Sequence, residues 1–255
     1  MRAVATPSMS EAQSRRHFDE VAHTWVDRYE GVPSFRTRLR VVAGLAGRIL
    51  GPTGDARVVD LGSGPGVLGT ALSAWASLVV CVDTSWAMLR AGAVAQSKVE
   101  RVLDGVGLNY HSEVLVRVAG STPALAGATG RRFDLALAVS VLEYQSDTHG
   151  LLAGLVELVR PGGFLIFSVP NNRSLVRLIE RPVDALAVRA GRLFGIERLK
   201  HRSYSLNRPF GSNVPWVEAL AATGAVCRQV IPLPLGDSGV RAALRPNLLV
   251  VAQVS

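Results

Sequence analysis

Over residues 10–29 apolar side chains recur at three- and four-residue spacing, with Phe18, Val21, Ala22 and Trp25 on one face, which predicts an amphipathic helix. Gly31-Val32-Pro33-Ser34 interrupts it. A second helix is expected over 35–50, with Leu39, Val42, Ala43, Ala46 and Ile49 facing one way and Gly51-Pro52-Thr53-Gly54 as its stop. The period then alternates. Strands are predicted at 57–61, 78–83, 114–119, 133–140 and 164–169, and helices at 67–76, 85–98 and 148–159, the last stopped by Pro161-Gly162-Gly163. The strands are near-continuous apolar runs rather than alternating ones, the mark of a parallel sheet covered on both faces. Residues 171–207 read as helical and arginine-rich, with Arg173, Arg177, Arg181, Arg189, Arg192, Arg198 and Arg202. A helix over 214–223 and strands over 225–231 and 248–254 follow. The expected architecture is a single α/β domain over 1–255, a doubly wound and mostly parallel sheet, with a helical lid at 10–50 and a helical cap inserted at 171–207.

Composition narrows the class. A chain of 255 residues with 48% apolar and 19% charged side chains is long enough for one sizeable core. Mean hydropathy is +0.26, yet no apolar run approaches the ~20 residues that span a bilayer. Residues 1–7 lack the apolar centre of a signal peptide, so a cytoplasmic protein is expected. The net charge of +8 is almost wholly arginine, with lysine only at Lys98 and Lys200, and favours anionic partners. Cys81 and Cys227 each sit in an apolar strand with no second cysteine or histidine nearby in sequence, so both are expected to be buried thiols.

The candidate chemistry starts where the first strand ends. Asp60-Leu61-Gly62-Ser63-Gly64-Pro65-Gly66 places three glycines at alternate positions after an acid. Glycine permits positive φ and lets a ligand approach the backbone. Gly64-x-Gly66-x-x-Gly69 also satisfies the dinucleotide fingerprint, which is weak evidence alone. A carboxylate at Asp60 gains little from a pyrophosphate and suits a ligand with a cationic end. Asp83 closes the second strand, where it can accept from ribose hydroxyls, cap the next helix, or do both.

Val58-Val59-Asp60-Leu61-Gly62-Ser63-Gly64-Pro65-Gly66 and Val80-Cys81-Val82-Asp83-Thr84-Ser85-Trp86-Ala87-Met88-Leu89 resemble the first two motifs of class I S-adenosylmethionine (SAM)-dependent methyltransferases. The segments from Phe133 to Tyr144 and from Leu158 to Leu165 resemble their fourth-strand motif and the turn into their fifth strand. The resemblance implies a seven-stranded sheet with an antiparallel last strand and SAM as cofactor. It implies that Asp60, Gly62, Ser63, Gly64 and Gly66 hold the methionine end and that Asp83 holds the ribose. Thr84, Met88 and Ser121, with Gly120, would border the adenine, although the acid that many relatives carry after the third strand is missing. Ser140 would lie near the sulfonium. The segment from Phe18 to Tyr29 resembles the lid of ubiquinone- and porphyrin-pathway methyltransferases, where Trp25 and Tyr29 either exclude water or pack on the sheet.

The acceptor side is less defined. Methyl transfer to oxygen needs positioning and a base. His17 and His23 on the lid are the base candidates, and Tyr144 is expected to orient the acceptor. Some quinone-pathway relatives carry Glu-x-x-Glu-His and bind a metal; Ser140-x-x-Glu143-Tyr144 lacks the first acid and the histidine, so no metal is expected. The arginine-rich segment reads as a solvated face, as a cap meeting an anionic substrate, or, over 174–202, as a basic amphipathic membrane contact; the cap is preferred, with membrane contact as an addition. The expected acceptor is small or lipid-linked and not a nucleic acid. An NAD(P)-dependent oxidoreductase and a non-catalytic SAM-fold binding protein are the alternatives.

Overall fold

The computed structural model describes residues 11–111, 115–120, 133–145, 147–171, 174, 186, 189–190, 193–195 and 215–255. Helices α1 (Glu11–Val21), α2 (Asp27–Gly31) and α3 (Pro33–Leu50) precede strand β1 (Ala56–Leu61). There follow α4 (Val67–Leu72), β2 (Ala76–Asp83), α5 (Trp86–Val94), α6 (Gln96–Val106), β3 (Leu115–Ala119), β4 (Phe133–Ala138), α7 (Thr148–Leu158), β5 (Val159–Pro170), α8 (Pro215–Ala222), β6 (Val226–Leu233), α9 (Gly239–Ala243) and β7 (Asn247–Gln253). The strands form one seven-stranded sheet in the order β3-β2-β1-β4-β5-β7-β6. β1 through β5 pair in parallel, and β7 runs antiparallel to both β5 and β6, as expected from the sequence.

The apolar strand pattern has a direct cause. Val58 and Val59 point to opposite faces of β1 and both are fully buried. Val59, Val80, Phe133, Leu152 and Phe167 belong to a core under α7 and α8. Val58, Val79, Leu135, Leu39, Val42 and Leu72 belong to the core on the other face, under α3, α4 and α6. Two covered faces leave the carboxyl edge of β1, β2 and β4 as the place where polar groups collect.

Several expectations need correction. The helix predicted over 10–29 is broken: Ala22–Thr24 form a 3-10 turn with i→i+3 bonds, Trp25 N–H to Ala22 O (3.2 Å) and Arg28 N–H to Trp25 O (3.2 Å). The tighter winding turns Val26 into the core. The helix predicted over 85–98 is two helices, divided at Ala95, and the second runs on to Val106. Pro161-Gly162-Gly163 does not end the element before it; β5 begins at Val159 and passes through it. Cys81 is buried, but Cys227 is exposed, because β6 is an edge strand paired only with β7. Most of the segment 171–207, including the expected cap, and Ser121 lie outside the described residues. Among the described residues no helix is long and apolar enough to cross a membrane.

Candidate functional site

The turn after β1 is built on backbone that only glycine accepts easily. Gly62, Gly64 and Gly66 take φ of +65°, +56° and +78°. A Cβ on Gly62 would strike the Val141 side chain, and one on Gly92 of α5 would fall on the Pro65 carbonyl oxygen. The helix that follows the second strand therefore packs directly against the turn. Ser63 N–H donates to Val82 O at 3.1 Å and ties the turn to β2.

Two carboxylates stand behind and beside this turn. Asp83 accepts from Gly64 N–H and from Ser85 N–H, each at 2.8 Å. A carboxylate has about four acceptor directions, so room remains for ribose hydroxyls. Asp60 is buried, and among the described residues its Oδ2 meets no hydrogen-bond donor. Burial, then the nearby Asp83 charge, pushes the Asp60 carboxyl up to about 7, although Gly69 N–H donates to it and pulls the other way. A buried carboxylate oxygen without a donor is costly unless a ligand supplies one.

The missing donor has an electrostatic complement close by. Asp60, Ser63 and Val139 line a small cavity together with Tyr29 of α2 and Arg38 and Leu39 of α3. Arg38 is a charged cavity residue that the sequence alone did not single out. Its Nη1 donates to Ser140 Oγ at 2.7 Å and its guanidinium lies 4.6 Å from the Phe35 ring centroid. Ser140 takes φ +61°, uncommon for a side chain, and its N–H donates to the buried Ser168 Oγ at 2.7 Å. One signal in the sequence marks Arg38: it lies four residues before Val42 and so at the edge of the buried face of α3.

The cavity thus offers one carboxylate and one guanidinium beside a turn that admits a close ligand. That pair matches the ammonium and carboxylate of an amino acid, and Asp83 next to it matches a ribose. The methionine end and nucleoside of SAM carry these groups. A pyrophosphate against Asp60 would place like charges together. The residues present fit SAM and oppose NAD(P).

The remaining candidates are brought together unevenly. Thr84 is exposed at the Asp83 corner, whereas Met88 is buried among core side chains and backs that corner. Ser85 caps α5 by accepting from Met88 N–H (3.1 Å), and its hydroxyl donates to Asp19 of α1 (2.6 Å), which ties α1 to the Asp83 corner. Trp25 Nε1 stands 3.9 Å from where a Gly64 Cβ would be. Trp25 packs edge-on against Phe18 (5.5 Å between centroids), and Phe18 against Tyr144 (5.2 Å) and His17 (5.5 Å). Tyr144 and His17 therefore share one aromatic cluster with Phe18, which joins it to Trp25, while His23 is exposed on the 3-10 turn.

Residues 34–219 match the family model described as a methyltransferase domain. The ubiquinone biosynthesis O-methyltransferase of Parvibaculum lavamentivorans is 28% identical over 140 residues, 55% of this chain and 50% of that protein. The chain spans 50%, 60% and 64% of the length of the first three curated relatives it matches. Among solved structures, the 1,6-didemethyltoxoflavin N1-methyltransferase of Burkholderia thailandensis, bound to S-adenosylhomocysteine, aligns with a TM-score of 0.61 at 19% identity, covering 99% of this chain and 93% of that one. The magnesium protoporphyrin IX methyltransferase of Synechocystis PCC 6803, also bound to S-adenosylhomocysteine, aligns at 0.58 and 16%, covering 96% and 99%. At these identities the structures establish the fold, and the family model covers most of the chain. The chain belongs to the methyltransferase-domain family and, within it, to the class I SAM-dependent methyltransferases.

Proposed function

We propose that this protein transfers a methyl group from SAM to a small-molecule or lipid-linked acceptor, at an oxygen atom. The observation that carries the reading is the buried Oδ2 of Asp60, which meets no donor among the described residues, in a cavity shared with Arg38. Asp60 receives the ammonium of the methionine end, Arg38 its carboxylate, and Asp83 the ribose. Gly62, Gly64 and Gly66 let the backbone approach, and Ser63 lines the same cavity. SAM, when bound, supplies an electrophilic methyl carbon on its sulfonium. Trp25 and Phe18 cover the turn and keep water from it. Tyr144 orients the acceptor, and half-buried His17, rather than exposed His23, takes its proton.

Transfer to oxygen is supported by the curated relatives, which are named O-methyltransferases. A lipid-linked acceptor is supported by Leu186, Leu193 and Phe194, which are 70 to 81% exposed in the arginine-rich segment and suit peripheral contact with an acidic membrane. Two free thiols fit a reducing compartment, and the reading places the reaction in the cytoplasm.

The test is incubation with methyl-labelled SAM and fractionated extract. Label in a low-mass or lipid product, released as methanol by ester hydrolysis or as methyl iodide by hydriodic acid, supports the reading. Label confined to protein or nucleic acid, or no transfer at all, overturns it.

A further inference from the structure

Arg28 of α2 is a half-buried cation. Its guanidinium carbon lies 4.0 Å from the Trp25 ring centroid. Among the described residues no carboxylate forms an ion pair with it. The acids on its own helix are committed elsewhere: Asp27 and Glu30 face Lys98 of α6. Asp19, on α1, accepts from Ser85. Burial pulls Arg28 below the usual arginine range, and the Tyr144 phenol acts in the opposite direction. Removing a guanidinium from water without a partner is unfavourable, and stacking on one indole offsets only part of it. A ligand anion would offset the rest.

The position says which ligand. Trp25 covers the Gly64 side of the cofactor turn, and Phe18 links it to Tyr144 on the turn after β4. Through Trp25, Arg28 is thus joined to the aromatic cluster at the turn, and it is not among the residues that line the Asp60–Arg38 cavity. We infer that Arg28 is the anion anchor of the acceptor site, so that the acceptor is a flat aromatic molecule carrying a carboxylate or another acidic group. The aromatic edges of Phe18 and Tyr144 hold its ring, and the guanidinium, already oriented by Trp25, pairs with its acid. This rests on the methyltransferase reading only in placing the acceptor above the cofactor.

The test is binding of 2-naphthoate and its neutral counterpart naphthalene-2-methanol to the full chain loaded with S-adenosylhomocysteine. In the wild type, naphthoate should bind about tenfold or more tightly than the carbinol, the worth of one charge-assisted hydrogen bond. Arg28→Met keeps an unbranched stem on Trp25 and should erase the preference to within about twofold, while Arg28→Lys should retain part of it. Affinity for S-adenosylhomocysteine should be unchanged in both variants. Equal binding of the two probes by the wild type, binding of neither, or a preference that survives Arg28→Met overturns the inference. So does loss of S-adenosylhomocysteine affinity in Arg28→Met, which would make Arg28 a cofactor residue. Failure of the wild type to bind S-adenosylhomocysteine is a different outcome and refutes the methyltransferase reading itself.

Discussion

Replacing Arg38 by Met separates a ligand role from a packing role. S-adenosylhomocysteine carries the amino-acid group, and 5′-deoxy-5′-methylthioadenosine has the same nucleoside and sulfur without it. If Arg38 holds the ligand carboxylate, only the first should suffer. A hydrogen bond to a charged partner contributes about 1.5–3 kcal/mol. Arg38 is already held at 2.7 Å by Ser140 Oγ and stacked on Phe35, so binding adds little ordering cost and the whole interaction is expressed. At about 1.4 kcal/mol per tenfold, affinity for S-adenosylhomocysteine should fall roughly 10- to 150-fold. Affinity for methylthioadenosine should stay within about twofold. Calorimetric titration of both ligands into both proteins measures this. Parallel loss of both affinities would assign Arg38 to the fold, and no loss of either would remove it from the site.

The other predictions concern the two acids and one glycine. Asp60→Asn should weaken S-adenosylhomocysteine and remove a pH dependence: wild-type affinity should fall as pH drops through about 7, where Asp60 gains a proton and no longer attracts an ammonium. The same variant should raise the melting temperature at neutral pH. The folded Asp60 keeps its proton up to about 7 while the unfolded carboxyl releases it near its ordinary 3.8, so the folded state loses stability as pH rises through that window. The gain from Asn should therefore shrink towards nothing below pH 3.8; a constant gain would refute the burial argument. Asp83→Ala should weaken S-adenosylhomocysteine and methylthioadenosine alike, because the ribose is common to both, and preferential loss of one would contradict the ribose role. Gly92→Ala should destabilise the protein by about 1–3 kcal/mol, since the new methyl falls on the Pro65 carbonyl oxygen, with thermal unfolding as the measurement.

What could be read from the sequence was what repeats locally. The strands were legible because both their faces are buried and their residues are apolar throughout, as at Val58 and Val59. The turn was legible because Gly62, Gly64 and Gly66 occupy positive φ that other residues avoid. Arg38 was missed because its partner Ser140 lies 102 positions away and nothing local records the pairing. Arg28 was missed for the same reason: its meaning comes from the cluster in which Trp25 and Phe18 meet Tyr144, brought in by the turn after β4. The 3-10 turn at Ala22–Thr24 leaves no periodic signature, since three residues are shorter than one helical repeat. Cys227 looked buried because its neighbours are apolar, but which strand forms the sheet edge depends on pairing order.

Competitive calorimetry tests most directly whether the turn after β1 accepts an amino-acid-bearing nucleoside. Titration of the full chain with S-adenosylhomocysteine should give saturable binding at one site, which NADH added first does not weaken. Binding of NADH in place of S-adenosylhomocysteine would contradict the assignment of Asp60 and Arg38 and return the chain to the dinucleotide reading.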